Sequence, residues 1–341
     1  MYNDIDVREL GAVGDGIADD TAALQEAIDL AAETGRAVFL RPGRYRCGTL
    51  YMRPEVVLYA EPTWAYRCHA CGQTTINQAD EDMVCQIDLT TAYGCTLRGL
   101  SLMGTGTGQC AGMLSRKEDY GTQEDAYRIE DCCVSNYGGH AVYLDHVWCF
   151  SVRHCQFGHC GGDGLRIKGW DGFVLDNWFS GNSGAGFYGE NPNCSVTMTG
   201  NRIEWNSAGG IVIEDGSHYN ITGNYIDRSG KAGLHLLCSH TISCTGNIIY
   251  RSGKSAPSTA QCILRNCAGT AFTGNVIKHG TDDGGKGNLT PALAMELDSL
   301  TDCIVANNTM YKGGTESNIT DLGNHENSII ENNVGRPSIT P

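Results

Sequence analysis

The chain has 341 residues, 45 of them glycine and 8 proline, and a formal net charge of −15 at neutral pH. Such an acidic balance argues against nucleic acid or an anionic membrane surface as a partner. It also argues against a strongly anionic polymer as substrate, unless local Lys and Arg side chains or a metal compensate. No apolar stretch approaches the roughly 18 residues of a membrane-spanning helix.

The 17 cysteines are scattered along the chain, many at inward strand positions such as Cys262 and Cys303. Residues 1–10 lack the basic and apolar regions of an export signal. This combination predicts a cytoplasmic protein with reduced thiols that serve as small apolar side chains. Cys68 and Cys71 form a lone CxxC motif without a second pair at zinc spacing, so no metal site is predicted there.

The first predicted elements are a strand, a glycine-rich turn and a helix. Residues 6–16 predict the strand and the turn, and Asp19 and Asp20 are candidates for the helix N-cap. Residues 22–33 predict a helix, because their apolar side chains fall on one face. These side chains belong to Leu24, Ala27, Ile28 and Ala31.

This N-terminal sequence resembles that of the pectate lyase superfamily, whose pattern is GAxGDGxxDDTxAxQxAI followed by vxLPxGxY. The matching segments run from Gly11 to Ile28 and from Val38 to Tyr45. The resemblance implies a pectin-lyase-like right-handed parallel β-helix related to glycoside hydrolase family 28, and usually carbohydrate chemistry. In that fold the helix is expected to cover the open apolar end of the solenoid.

A short phrase that contains one asparagine returns between residues 154 and 277. The asparagines are spaced by 24, 23, 23 and 28 residues and are Asn177, Asn201, Asn224, Asn247 and Asn275. A period near 23 is typical of a solenoid, and period-two alternation such as Ile211/Ile213 favours strands. The pattern therefore predicts an all-β fold, a parallel β-helix with an N-terminal capping helix, which the resemblance implies is right-handed.

The repeated asparagines are expected at one corner of every coil, where asparagine tolerates the left-handed conformation. Parallel strands stack about 4.8 Å apart, so the side-chain amides of neighbouring coils can bond to one another. The asparagines therefore predict a structural ladder and no chemistry.

The whole chain, residues 1–341, is interpreted as one β-helix domain. Its parts are the N-terminal strand and helix, the coils and a short tail, at residues 1–46, 47–335 and 336–341. Loops are predicted at residues 116–127, 253–259, 280–291 and 312–320, where they either wall a binding face or are tolerated surface insertions. No capping element is predicted after the last coil, so the short tail or a neighbouring subunit must cover it. This favours a homo-oligomer, for example a trimer.

Two outward columns follow when the coils are aligned on their Gly-x-x-Ile strands. The first column contains Tyr143, Arg166, Tyr188, Val212, His235, Ile263 and Ala294. The second contains Asp145, Lys168, Glu190, Glu214, Leu237, Arg265 and Glu296. Carboxylates, bases and aromatic rings at the spacing of stacked coils suit sugar recognition and glycosidic chemistry.

From these columns we predict catalytic and substrate-binding residues and no metal site. The predicted catalytic residues are Glu190, Glu214, Asp145, Lys168 and Asp176. The predicted substrate-binding residues are Arg166, Tyr188, His235, Tyr143, Arg265 and Trp205. Trp205 belongs to a second outward row that follows the asparagine strand and includes Glu204 and Asp227. Asp176 is included among the catalytic candidates because the arrangement of Asp176-Asn177 followed by Glu190 is similar to that in the inulin fructotransferases.

The predicted function is a carbohydrate-active enzyme that hydrolyses a glycosidic bond of an oligo- or polysaccharide with a pair of carboxylates. The first alternative is a polysaccharide lyase acting on a uronate, or an activity like that of inulin fructotransferase. The second alternative is a non-catalytic glycan-binding β-helix, such as a phage fibre segment. No cofactor is expected for hydrolysis, and Ca²⁺ is considered only for a lyase.

Overall fold

The computed structural model describes residues 4–65 and 72–335. The CxxC pair, Cys68 and Cys71, and the expected tail at 336–341 lie outside these described residues. The chain is an all-β parallel solenoid of about 13 turns, with 6% of its residues in helix. It divides into two compact units, residues 1–173 and 174–341. Within the described residues, no helix has the length and apolar character needed to cross a membrane.

The helix predicted at 22–33 is confirmed as α1, Thr21–Thr34, and its four predicted apolar residues are buried. The turn before it is held by the buried carboxylate of Asp20, which accepts the backbone N–H groups of Val13 at 2.6 Å and Gly14 at 3.0 Å. A side chain on Gly14 would meet the ring of Tyr45. The spacing of Gly14, Asp20 and Tyr45 in this segment therefore has a structural cause, and the capping role of α1 stays a prediction.

Short strands make up most of the first unit, with one 3₁₀ helix at Val7–Leu10. They are β1 Ile5–Asp6, β2 Asp15–Asp19, β3 Val38–Leu40, β4 Gly43–Cys47, β5 Leu50–Tyr51, β6 Val57–Ala60, β7 Thr74–Gln78, β8 Cys85–Asp88, β9 Thr96–Arg98, β10 Ser101–Met103, β11 Ala111–Arg116, β12 Tyr127–Glu130, β13 Cys133–Ser135, β14 Val142–Arg153, β15 Gln156–Gly158 and β16 Leu165–Leu175, the last of which includes residues of both units.

The second unit continues the pattern, with a 3₁₀ turn at Asp283–Gly285. Its strands are β17 Trp178–Ser180, β18 Ala185–Gly189, β19 Asn193–Thr199, β20 Arg202–Glu204, β21 Gly209–Glu214, β22 Gly216–Ser217, β23 Asn220–Thr222, β24 Tyr225–Asp227, β25 Leu234–Leu237, β26 Ser243–Thr245, β27 Ile248–Tyr250, β28 Ala260–Arg265, β29 Ala271–Thr273, β30 Val276–Lys278, β31 Leu293–Asp298, β32 Ile304–Ala306, β33 Ser317–Asp321 and β34 Ile329–Glu331.

Equivalent strands of the second unit pair in parallel, coil upon coil. Column I consists of β18, β21, β25, β28, β31 and β33, and column III of β17, β20, β24, β27 and β30. Column II consists of β19, β23, β26, β29, β32 and β34. Inward side chains stack in files, such as that of Ile203, Ile226, Ile249 and Ile277. Each such burial contributes about 1.5–3 kcal/mol.

The asparagine ladder is confirmed and is longer than expected. Side-chain amides bond from coil to coil at 2.8–3.1 Å. The ladder contains Asn177, Asn201, Asn224, Asn247, Asn275, Asn308 and Asn333. The residue before each asparagine has a positive φ, and glycine holds this place in four coils; Asp176 holds it in the first.

The cysteines behave as the composition predicts. Most of the cysteines in the described segments are buried, none of them forms a disulfide, and Cys238 is exposed. Burial raises the pKa of Cys110 to about 12, so this thiol stays protonated at neutral pH. The cysteines therefore fill the core of the coils.

The predicted alignment is wrong by two residues in the coil of β31. Ile263 of β28 pairs with Glu296, and Arg265 pairs with Asp298. Ala294, expected to face outward, is fully buried, and its side chain lies against Gly313. A shift of two residues preserves the alternation of the strand, so the sequence pattern did not reveal it.

Candidate functional site

The first unit carries a cavity of about 500 Å³ on its outward surface. Ala111 and Leu114 of β11 and Tyr143 of β14 give it an apolar floor, with Leu114 paired to Tyr143 across the two strands. Arg116 and His140 add polar groups to the same lining. An apolar floor with a few convergent polar groups is the usual build of a ligand site.

The predicted binding residue Tyr143 lies close to two guanidinium groups. The Cζ atoms of Arg116 and Arg166 are 5.7 and 5.8 Å from the centroid of its ring. The ring of His140 is 5.4 Å away, centroid to centroid. Arg116, His140 and Tyr143 thus line the cavity together with the carboxylates Glu81 and Asp82, and Arg166 lies beside the Tyr143 ring.

His140 and Arg166 are both held by the buried residue Asp163. The backbone N–H of Asp163 donates to Nδ1 of His140 at 2.9 Å, and Arg166 Nη1 donates to Asp163 Oδ2 at 3.1 Å. Nδ1 of His140 also lies 3.3 Å from Oδ2 of Asp163, so this edge of the ring faces Asp163. Asp163 therefore orients the acid–base group and one cation together.

Two predicted catalytic residues of the first unit lie near each other. Lys168 Nζ is 4.0 Å from Asp145 Oδ1, and Nδ1 of His146 is 2.8 Å from the same oxygen. The charged segment at residues 116–127 was predicted to be a loop. The structure agrees, because β11 ends at Arg116 and β12 begins at Tyr127. Tyr120 of this loop stacks on Trp170, with ring centroids 3.9 Å apart.

In the second unit, column I brings Tyr188, Glu214 and His235 together. The hydroxyl of Tyr188 donates to Oε2 of Glu214 at 2.6 Å. Val212, two residues before Glu214, pairs with His235. Burial, with a smaller contribution from Arg265, lowers the pKa of His235, so its ring is neutral at neutral pH. Arg265 Nη2 donates to Oε1 of Glu296 at 2.5 Å.

Glu190 follows the end of β18, one residue after Gly189, which pairs with Ile213. Continuing this register places Glu190 opposite Glu214, about 4.8 Å away between backbones. Asp176 is separate from this group, because it occupies an exposed corner before Asn177. Trp205 is also separate, because it follows β20 of column III.

The second predicted row was expected to face outward, and its carboxylates are instead covered. Glu204 and Asp227 are buried. Arg251 Nε donates to Asp227 Oδ1 at 2.8 Å, and Arg202 Nη2 lies 3.1 Å from Glu204 Oε2. Burial raises the pKa of Asp227, an effect that its bond to Arg251 opposes. These carboxylates therefore serve neighbouring guanidinium groups and are shielded from a substrate.

The sequence alignment missed Arg116, His140 and Asp163. Alignment on the Gly-x-x-Ile strand began at Tyr143 and left out the residues at the strand ends. The Gly138-Gly139-His140 segment was a usable signal. Glycines without side chains let neighbouring coils approach closely, and this brings His140 near the residues of the adjacent coil. Gly139 packs against the backbone carbonyl of Gln109, which also lines the cavity.

Residues 103–288 match the family model described as NosD, periplasmic copper-binding protein. This match covers more than half of the chain. The chain belongs to the NosD family. The resemblance to pectin-lyase-like right-handed β-helix proteins is thereby confirmed.

Curated relatives of this NosD-family chain include mannuronan C5-epimerase AlgE6 of Azotobacter vinelandii. It is 38% identical over 86 residues, which are 23% of this chain and 9% of the relative. The chain thus covers under a tenth of that protein's length.

Solved structures show the same fold at low identity. The A-module of AlgE6 from Azotobacter vinelandii has a TM-score of 0.73 and 19% identity, over 98% of this chain and 100% of the other. The active domain of tailspike protein 2 of bacteriophage CBA120 has a TM-score of 0.78 and 16% identity, over 97% of this chain and 52% of the other.

The family description names copper, and copper sites in proteins are built from several Cys, Met or His ligands around one ion. In segments 4–65 and 72–335, no three His, Cys, Asp or Glu side chains come together in a group that could hold a metal ion. The described residues therefore do not fit a copper centre built from three such side chains.

Proposed function

We propose that this chain is a carbohydrate-active enzyme that acts on a uronate-containing polysaccharide and removes the proton next to the carboxylate. The observation that carries the proposal is the pair of guanidinium groups near Tyr143, of which Arg116 lines the same cavity as Tyr143 and His140. The match to mannuronan C5-epimerases supports the same substrate class. Arg116 and Arg166 are the cations at this site, and the cavity lining also includes the carboxylates Glu81 and Asp82.

The reaction begins when a base takes the proton from the carbon that bears the uronate carboxylate. The electron pair then delocalises into the carboxylate, where positive charge stabilises it. In elimination, this pair forms a carbon–carbon double bond, the glycosidic oxygen leaves and that oxygen takes up a proton. In epimerisation, a proton returns to the same carbon from the opposite face and no bond of the polymer breaks.

Four residues have roles in this reaction. Arg116 and Arg166 bind the uronate carboxylate and stabilise the developing charge. His140 presents Nε2 as the acid, because its Nδ1 edge faces Asp163. Tyr143 is the partner base, because its ring lies within 5.8 Å of both guanidinium groups and lines the cavity beside His140.

No cofactor is needed for these steps. The two arginines supply the neutralising charge that a metal provides in other sites. Ca²⁺ enters the proposal only for the elimination branch, as an additional cation on the carboxylate.

The test is incubation of the protein with a panel of polyuronates and neutral polysaccharides in deuterated water. Elimination gives an unsaturated uronate that absorbs ultraviolet light. Epimerisation gives deuterium in the polymer without such absorbance. Neither signal with any polyuronate, in the presence or absence of Ca²⁺, overturns the proposal.

Hydrolysis at column I is the second candidate. It is favoured by the Tyr188–Glu214 hydrogen bond and by the register that sets Glu190 beside Glu214. Carboxyl groups about 5–5.5 Å apart serve retaining glycosidases, and larger separations serve inverting ones. New reducing ends from a neutral glycan, without ultraviolet absorbance, identify this activity. Binding of a glycan without turnover identifies the non-catalytic alternative.

A further inference from the structure

Column III of the second unit carries a surface in which cations and aromatic rings alternate. Arg202 lies over Tyr225, with its Cζ atom 4.6 Å from the ring centroid. Arg228 lies 4.1 Å over Trp205, and Arg251 lies 4.4 Å over Tyr250. We call this surface the cation–aromatic face; it consists of Trp178, Arg202, Trp205, Tyr225, Arg228, Tyr250, Arg251, Lys278, Tyr311 and Lys312.

Arg228 and Arg251, on adjacent coils, share one carboxylate. Arg228 Nη2 lies 2.7 and 2.8 Å from the two oxygens of Asp283. Arg251 Nη1 lies 3.0 Å from Oδ1 of the same residue. These contacts lower the pKa of Asp283, with the hydrogen bond from Arg251 as the largest cause. The paired guanidiniums therefore form a receptor for one carboxylate.

The two arginines are built into the solenoid, whereas Asp283 is not. Arg228 is only 6% exposed, and its buried Nε has no hydrogen-bond partner in the described part of the chain. Below it lie Asp227 and Glu204, 3.4 and 3.8 Å from Arg228 Nη1. The Asp283 side chain is 72% exposed. The exposed carboxylate of Asp283 thus binds two arginines that the solenoid already holds in place, as the carboxylate of a ligand would.

Asp283 belongs to a glycine-rich loop that lies between β30 and β31. Gly284, Gly285 and Gly287 have positive φ angles, and residues 283–289 are exposed. Besides Asp283, polar contacts hold the loop: Lys254 Nζ donates to the carbonyl of Asn288 at 3.3 Å, and the N–H of Asp282 donates to the carbonyl of Lys286 at 2.8 Å. Thr281 offers its carbonyl to Arg251, and Asp282 lies 3.5 Å from Lys254. Because these contacts are polar and residues 283–289 are exposed, the loop can move aside with little loss of packing.

The charge balance of the region changes with the position of the loop. Its cations are the seven residues Arg202, Arg228, Arg251, Lys254, Lys278, Lys286 and Lys312, and its carboxylates are the four residues Glu204, Asp227, Asp282 and Asp283. The charge is therefore +3 with the loop in place. Without the loop residues Asp282, Asp283 and Lys286 the charge is +4.

We propose that Arg228 and Arg251 form a binding site for the carboxylate of an acidic polysaccharide, and that Asp283 occupies this site until the ligand replaces it. Exposed rings such as Trp205 and Tyr311 offer apolar faces to the sugars of the same chain. Arg202, Lys278 and Lys312 meet further carboxylates along the coils. The ligand class rests on the proposed function, but the site binds without reacting.

The test measures binding of polymannuronate by titration calorimetry in low-salt buffer without Ca²⁺, with neutral dextran as the comparison polymer. Asp283→Asn removes the competing charge from an exposed loop, so the Kd for polymannuronate is expected to fall about threefold or more. Arg202→Gln, on an accessible part of the face, is expected to raise it by a similar factor. Glu316→Gln removes another exposed carboxylate of this unit and serves as the matched control.

An unchanged Kd in both Asp283→Asn and Arg202→Gln overturns the proposal, as does equal binding of dextran. An equal fall of Kd in Glu316→Gln also overturns it, because the effect would then be one of net charge. Failure of the proposed function looks different: polymannuronate binds and Asp283→Asn binds it more tightly, yet no product forms. Product formation with an unchanged Kd in the variants rejects only the site at Arg228 and Arg251.

Discussion

The hydroxyl of Tyr188 donates a 2.6 Å hydrogen bond to Oε2 of Glu214. The two residues sit on paired strands, where Tyr188 lies opposite Val212, so the bond runs diagonally across the two coils. This bond fixes one oxygen of the carboxylate and leaves the other for a substrate. The arrangement is what a hydrolytic site in column I would require, and it leads to the first prediction.

If the protein hydrolyses a neutral glycan, Glu190→Gln is expected to lose about 100-fold or more of that activity while folding normally. The amide keeps the shape of the side chain but provides neither an acid nor a nucleophile. Release of reducing ends measures the effect, and Glu331→Gln, at an exposed position of β34, is the control. Full hydrolysis by both Glu190→Gln and Glu214→Gln would exclude column I as the site.

Tyr143→Phe is expected to reduce turnover of a polyuronate by about 100-fold or more, since the phenolic oxygen is the proposed base. Its ring and its packing on Ala111 and Leu114 remain. Deuterium incorporation and ultraviolet absorbance measure the loss, and circular dichroism checks the fold. Tyr93→Phe removes the hydroxyl of another exposed tyrosine of the first unit and should be active. Wild-type rates in Tyr143→Phe would remove this residue from the reaction.

Asn247→Ala is expected to lower the free energy of unfolding by about 2–4 kcal/mol. Its side chain donates to Asn275 and to the carbonyl of Ile221, and accepts two bonds from Asn224. Alanine leaves all these buried groups without their partner. Urea unfolding measures the change, with Asn220→Ala, at an exposed position, as control. A loss equal to that of the control would show that the ladder adds no stability.

Stability is expected to fall as the pH drops below 6.5, partly because of His279. Burial, with Lys312 and Lys278 nearby, lowers the pKa of His279 from 6.5, and burial also lowers that of His235. The unfolded chain then binds protons that the folded chain does not, at a slope of up to about 1.4 kcal/mol per pH unit for each proton. Stability from these residues is present above pH 6.5 and is lost as the pH falls towards the folded pKa.

His279→Gln should therefore flatten the dependence of unfolding free energy on pH, whatever its effect on stability at neutral pH. Urea unfolding above pH 6.5 and about one unit below it measures the slope. The exposed His218 makes a suitable control as His218→Gln. An identical slope in wild type and His279→Gln would mean that this imidazole titrates normally in the folded state.

Much of the fold could be predicted because the same corner recurs in every coil and needs the same residue, asparagine, each time. The spacing of Asn201, Asn224 and Asn247 follows directly from the length of one coil. Asn308 and Asn333 were not predicted to belong to the ladder, because a loop before Asn308 lengthens the spacing from Asn275 to 33 residues. Insertions are tolerated at corners, where loop closure costs little, so the period is lost while the geometry is kept.

The candidate site was predictable only in part, because contacts depend on register and on strand ends. Tyr143 and Arg166 were found by alternation, and they do lie together. His140 was missed because it precedes its strand, where no alternation applies. The burial of Glu204 arises from the arginines that cover it, which strand alternation does not report. The homo-oligomer and the cytoplasmic location stay predictions.

The amide bonds between Asn201, Asn224 and Asn247 span 23 residues at every step. A deletion or duplication of a few residues within a strand would take one amide out of line and break the bonds on both sides of it. The gain or loss of a full turn connects one coil to another at equivalent positions, so the asparagine amides stay in line and every bond between them is kept. The length of such a molecule can thus change in evolution only in whole turns, while its corners admit loops of any size.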